Sequence, residues 1–150
     1  MMDKYILAID QGTTSSRAIL FNHYGQALYI TQQEVKCIFP YSGWVEVDAE
    51  DIYKSVIDCI DELFQKAKIT PASIECIGIT NQRETTVMWD KSTGLPVYNA
   101  IVWQSRQTVG ICDMYADKKE YIHEKTGLLI NPYFSMSKIR FILDHFQNGQ

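Results

Sequence analysis

Two apolar runs of strand length stand near the start of the chain, Tyr5-Ile6-Leu7-Ala8-Ile9 and Ala18-Ile19-Leu20-Phe21. A polar octet lies between them, Asp10-Gln11-Gly12-Thr13-Thr14-Ser15-Ser16-Arg17. Runs of this composition predict strands, so the octet falls in the tight connection of a β-hairpin and at the start of its second strand. Asn22-His23-Tyr24-Gly25 is a turn cluster, and Gln26 to Val35 predicts a third strand with imperfect alternation. Three strands joined in this way make an antiparallel meander. Phe39 to Trp44 breaks the pattern and reads as a loop.

The period then changes. Asp48 is a good N-cap, with Glu50 and Asp51 in the first turn, where the helix dipole favours them. Ile52, Val56, Ile57, Ile60, Leu63, Phe64 and Ala67 recur at helical spacing and predict one apolar face. Lys66 and Lys68 sit at the other end, and Thr70-Pro71 stops the helix. Ile74 to Thr80 is again a run of strand length. After such a helix it returns parallel to the first strand by a right-handed crossover. The prediction is a mixed sheet with helices packed on it.

Thr85 to Trp89 and Ala100 to Trp103 predict further short strands around the turn Asp90-Lys91-Ser92-Thr93-Gly94. From Gln104 the pattern turns helical, with Val109, Cys112 and Tyr115 on one side. Tyr121 and Ile122 lie in a short helical piece that Gly127 ends. Asn131-Pro132 forces a turn, and Ile139, Ile142, Leu143 and Phe146 form the stripe of a last helix starting near Ser135 or Ser137.

Composition narrows the class. The chain has 150 residues with 46% apolar and 21% charged content, the balance of a soluble globular domain with a real core. A net charge of −4 with no basic run argues against a nucleic-acid partner. The apolar runs are far too short for a membrane span, and Met1-Met2-Asp3-Lys4 opens no signal peptide. Cys37, Cys59, Cys76 and Cys112 show no Cys-x-x-Cys spacing and no nearby His, so they read as free, mostly buried thiols.

Candidate chemistry gathers in the polar interruptions. Gly12 admits backbone angles closed to other residues. The N–H groups and hydroxyls that follow it suit a phosphate oxyanion, and Asp10 at the end of the first strand suits a hydrated Mg²⁺. An ordinary hairpin turn uses the same residue types, and the octet alone leaves the two readings level. Neither the Walker spacing nor a Gly-x-Gly-x-x-Gly fingerprint is present. Asn81-Gln82-Arg83-Glu84-Thr85 separates two apolar runs without Gly or Pro. Arg offers only donors and ionised Glu only acceptors, which together complement a neutral polyol. A plain surface ion pair is the competing reading. Trp103 beside Gln104-Ser105-Arg106 suits the carbon face of a polyol or a plain core position. Tyr133 on the rigid Asn131-Pro132 turn suits a ligand contact or simple packing.

Taken in order, Ala8 to Ala18, Gly43-Trp44-Val45-Glu46, Gly78 to Thr86, Tyr98 to Arg106, Thr126-Gly127-Leu128 and Pro132-Tyr133-Phe134-Ser135 resemble the glycerol kinases. These belong to the carbohydrate-kinase family, which shares the actin/hexokinase/Hsp70 type of ATPase fold. The resemblance covers nearly the whole chain, and the Asn-Gln-Arg-Glu-Thr and Trp-Gln-Ser-Arg runs favour the glycerol members over xylulose and gluconate kinases. It implies an α/β, ribonuclease H-like mixed sheet with flanking helices. Residues 1–150 would be the N-terminal part of the first lobe, incomplete, with the second lobe absent.

The implied activity is transfer of the γ-phosphoryl group of MgATP to a terminal hydroxyl of glycerol, giving sn-glycerol 3-phosphate. ATP or ADP with Mg²⁺ would be the cofactors and glycerol the partner. By resemblance, Thr13, Thr14 and Ser15 contact the nucleotide phosphates, Arg17 holds the phosphate side, and Asp10 sits near the metal. Arg83, Glu84 and Tyr133, with Thr13, would contact the glycerol hydroxyls, and Trp103 would line its carbon face. The general-base Asp and the adenosine-binding residues would lie outside this chain. A cytoplasmic enzyme, homo-oligomeric at full length, is also implied. A non-catalytic polyol- or phosphate-binding module and another sugar kinase of the fold are the alternatives. Two departures stand out: Val47 replaces the usual His before Asp48, and Met136 replaces a small residue, where its bulk would crowd the helix start beside the pocket.

Overall fold

The computed structural model describes residues 4–147; the leader reading at Met1-Met2-Asp3 lies outside them. The chain divides into two compact units, one of residues 1–36 and 50–82, the other of residues 37–49 and 83–150.

The first unit is a mixed sheet. Strand β1 (Tyr5–Gln11) pairs antiparallel with β2 (Ser15–Phe21), and β2 with β3 (Ala27–Glu34). Helix α1 (Ala49–Ala67) follows, then β5 (Ile74–Asn81), which lies parallel to β1, so the order is β3-β2-β1-β5. This is the expected meander with a parallel return. The core joins Leu7, Ile9, Ala18 and Leu20 of the sheet to Cys59 and Leu63 of α1.

The buried line of α1 differs from the expected stripe. Ser55, Cys59 and Leu63 are its buried residues, while Ile57 is exposed. The small polar residues are inside because each finds a partner there. Ser55 Oγ bonds Ser16 Oγ at 2.7 Å, the Cys59 thiol donates to the Ser16 carbonyl at 3.2 Å, and Thr31 Oγ1 donates to the Cys59 carbonyl at 2.7 Å. Burial pushes the Cys59 thiol pKa up. Small side chains at this seam let the helix sit close to the sheet without orphaning polar groups. All four cysteines are free, but only Cys59 and Cys112 are buried.

The second unit is built around a two-stranded ribbon, β4 (Glu46–Val47) with β6 (Ala100–Ile101). The strand expected over Thr85–Trp89 is reduced to isolated bridges, Thr86 with Ile101 and Trp89 with Pro96. Its pairing partner β6 is only two residues long, and only Ile101 of it meets the Thr85–Trp89 run. Helices α2 (Val109–Asp113), α3 (Lys119–Thr126) and α4 (Ser135–Gln147) complete the unit, and Gly127 caps α3 at a φ of 73° as expected. Ile101, Phe141 and Ile142 form its core with Trp44, Met88, Val97, Tyr98 and Ile111 packed around them. Buried Glu46 ties the ribbon down by accepting from Tyr98 Oη at 2.8 Å, Asn99 Nδ2 at 2.9 Å and Gln107 Nε2 at 3.1 Å. Burial and that carboxylate together raise the Tyr98 pKa.

Candidate active site

In the first unit the octet occupies the β1–β2 turn. Gly12 N–H donates to the Ser15 carbonyl at 2.9 Å, and Val35 N–H donates to the Thr14 carbonyl at 2.9 Å, fixing both sides of the loop. A Cβ on Gly12 would stand 3.1 Å from the Ser15 carbonyl oxygen, so the tight turn favours glycine. Thr13 and Thr14 stand at the turn itself, Thr14 exposed. Ser15 opens β2 and is buried, and Ser16 turns inward to Ser55, which removes its hydroxyl from the loop surface.

Asp10 and Arg17 are register partners across the hairpin and form a half-exposed pair at 3.3 Å. Arg17 Nε also donates to Gln32 Oε1 at 3.0 Å. The loop is further tied to the end of β5, because Gln82 Nε2 donates to Gln11 Oε1 at 3.0 Å and to the Gly12 carbonyl at 3.2 Å. Sequence reading left Gln82 without a role, although it lies inside the polar run already singled out.

In the second unit Glu84 adopts a φ of 64°, an uncommon choice for a non-glycine residue. Its Oε2 accepts from Ser135 N–H at 3.0 Å and from Ser135 Oγ at 2.8 Å. A carboxylate there satisfies a donor at the start of α4 and meets the positive end of the helix dipole. Thr85 Oγ1 accepts from Trp103 N–H at 3.2 Å. The Trp103 ring meets Tyr133 edge-on, with centroids 6.0 Å apart and planes at 69°. Trp103 is 37% exposed, so it is not a plain core residue. Arg83 is exposed beside Glu84. The unit therefore holds an acceptor (Glu84), an apolar ring (Trp103) and a phenol (Tyr133), with the exposed Arg83 next to Glu84 in sequence.

Met136 is 77% exposed and lines the groove beside Glu84 rather than packing on the buried side that holds Ser137 and Lys138. A largely apolar groove of about 610 Å³ runs on from Glu84 between Ile111, Leu128, Phe134 and Met136. Among the described residues no cluster of His, Cys, Asp and Glu is set up to hold a metal by itself. Among them, too, no helix is long and apolar enough to cross a membrane.

The N-terminal domain of the FGGY family of carbohydrate kinases matches residues 5–150. The chain belongs to that family. Glycerol kinase of Streptococcus uberis is 58% identical over 150 residues, 99% of this chain and 30% of that protein. Glycerol kinase of Oceanobacillus iheyensis is 58% identical over all of the chain and again 30% of the relative. The chain thus spans about 30% of the length of these curated relatives. Among solved structures, Plasmodium falciparum glycerol kinase with ADP shares 32% identity at a TM-score of 0.86, over 98% of this chain and 31% of that one. Gluconate kinase from Lactobacillus acidophilus, at 23% identity and a TM-score of 0.84, shares the fold. The fold of the chain is that of the FGGY kinases, an actin-like ATPase fold.

Proposed function

We propose that these residues are the N-terminal portion of an ATP-dependent glycerol kinase, supplying the polyol side and the first phosphate loop. The gathering of Glu84, Trp103 and Tyr133 beside Arg83 carries the reading. Glycerol hydroxyls each give and take a proton, and this set offers both partners together with a ring for the carbon face. The identity with glycerol kinases and the ADP named for the Plasmodium structure support the substrate and the nucleotide.

Thr13, Thr14 and Ser15 take the phosphate side of the nucleotide through hydroxyls and backbone N–H groups, and Arg17 adds a positive charge there. Phosphoryl transfer asks mainly for positioning and charge neutralisation, which such a loop provides. Asp10, whose Oδ2 pairs with Arg17 at 3.3 Å while the carboxylate stays half-exposed, would hold Mg²⁺, an ion that keeps most of its waters and takes one or two carboxylates with the phosphates. When bound, it neutralises charge on the transferring phosphate.

The general-base Asp and the adenosine site belong to the part of the family that this chain does not span. The protein is read as cytoplasmic and, at full length, a homo-oligomer. The purified chain alone therefore shows no glycerol-dependent ATP turnover. Joined to the segment that follows the aligned region in the Streptococcus uberis relative, it makes sn-glycerol 3-phosphate. Turnover by the isolated chain would sink the division of labour. A folded, completed enzyme that ignores glycerol but phosphorylates a pentulose would sink the substrate.

A further inference from the structure

Lys138 stands in the first turn of α4, where the helix dipole disfavours a cation, and its side chain is fully buried. Lysine is almost never fully buried unless something holds its charge. Here the ammonium donates to the carbonyl of Tyr133 and, at 3.4 Å, to that of Phe134. The Glu84 carboxylate and the Cys112 thiol are the groups whose charge favours the ammonium form. Burial outweighs them and lowers the Lys138 pKa to about 8. A methionine would fill a similar volume without that desolvation penalty.

The contacts show what the penalty secures. Tyr133 is held at both ends of its own peptide units: its N–H donates to Asn131 Oδ1 at 2.8 Å, and its carbonyl is held by Lys138. Ser135, two residues on, is held by Glu84 through N–H and hydroxyl. One cation and one carboxylate thus grip the Tyr133–Ser135 turn from opposite chemistry. With the backbone fixed, the Tyr133 ring is left with its own two torsions, and it rests edge-on against Trp103 at 6.0 Å and Phe134 at 5.2 Å.

We propose that Lys138 is a positioning residue for polyol binding: its buried ammonium fixes the Tyr133–Ser135 turn and thereby sets where the Tyr133 hydroxyl and the Glu84 carboxylate stand. The proposal rests on the assignment of Glu84 and Tyr133 to the polyol side. It does not place Lys138 against the substrate, so its effect is on binding geometry rather than on the transferred phosphate.

The test compares the parent with Lys138→Met in two settings. In the completed kinase, the glycerol KM rises about tenfold while kcat and the ATP KM stay within about threefold, the signature of lost substrate placement. In the full chain, the Ser135 amide exchanges about tenfold faster while the β1 and β2 amides keep their rates. Should Lys138→Met fail to fold, Lys138→Leu, which likewise removes the donor, carries both comparisons. An unchanged glycerol KM in an enzyme whose parent uses glycerol overturns the proposal, and so does unchanged exchange at Ser135. A parent that ignores glycerol and turns over another polyol overturns the substrate reading alone. The KM for that polyol then decides Lys138 by the same two outcomes.

Discussion

Glu84 has two jobs that can be separated by substitution. Its Oε2 takes two hydrogen bonds from Ser135 at the start of α4. Losing a cap of this kind costs about 1 kcal/mol. Losing a negative charge from a partly buried helix N-terminus costs about another 1 kcal/mol. Glu84→Ala should therefore loosen α4 by about 2 kcal/mol, which is about a thirtyfold increase in its opening constant. Glu84→Gln keeps a carbonyl acceptor for Ser135 and loses only the charge, about half of the effect. Glu84→Gly loses the cap but relieves a φ of 64°, which costs a residue with a side chain about 1 kcal/mol. The order of stability should run parent, then Gln and Gly together, then Ala. Amide hydrogen exchange along α4 reads this directly, with the β1 and β2 amides as the internal reference. Protection of α4 unchanged within about twofold in Glu84→Ala would show that the carboxylate does not hold this helix.

Other consequences follow from the same contacts. Ser16→Ala or Ser55→Ala alone strands a buried hydroxyl or weakens its bonding and costs about 1–3 kcal/mol, whereas the double substitution costs less than the two singles added; urea unfolding of all three against the parent gives the coupling. Lys138 binds its proton more weakly folded, at about 8, than unfolded at the ordinary 10.5, so its contribution to stability rises with pH from about 8 to 10.5. Between pH 7.5 and 9.5 the parent should gain about 2 kcal/mol relative to Lys138→Met, and an unfolding gap that does not move with pH would contradict the burial of the charge. Arg83→Ala in a completed kinase strips charged donors from the proposed polyol side and should raise the glycerol KM about tenfold or more; an unchanged KM would remove Arg83 from the proposal.

The sheet was legible because its signals are local. The runs before and after the octet, the turn at Asn22–Gly25 and the Pro71 stop each state a strand or its end, and the parallel return of β5 follows from the helix between. The buried line of α1 departs from the apolar stripe because hydropathy gives no credit to Ser55, whose hydroxyl is satisfied by the Ile52 carbonyl and the distant Ser16. The Thr85–Trp89 run has strand composition but meets a two-residue partner, a fact of tertiary pairing that composition does not carry.

The polar runs at residues 10–17 and 81–85 stand out in the sequence as interruptions with complementary donors and acceptors. What they did not reveal was how they are held. Gln82 bonding the β1–β2 loop, Glu84 capping α4 and Lys138 gripping Tyr133 all join residues by contacts that no sequence period marks.

The most direct test of the polyol assignment is the ratio of kcat/KM for glycerol to that for D-xylulose, measured on an intact-length kinase that carries residues 1–150. If Arg83, Glu84, Trp103 and Tyr133 form the proposed glycerol pocket, glycerol should lead by about a hundredfold or more. Parity, or a lead for the pentulose, would contradict it.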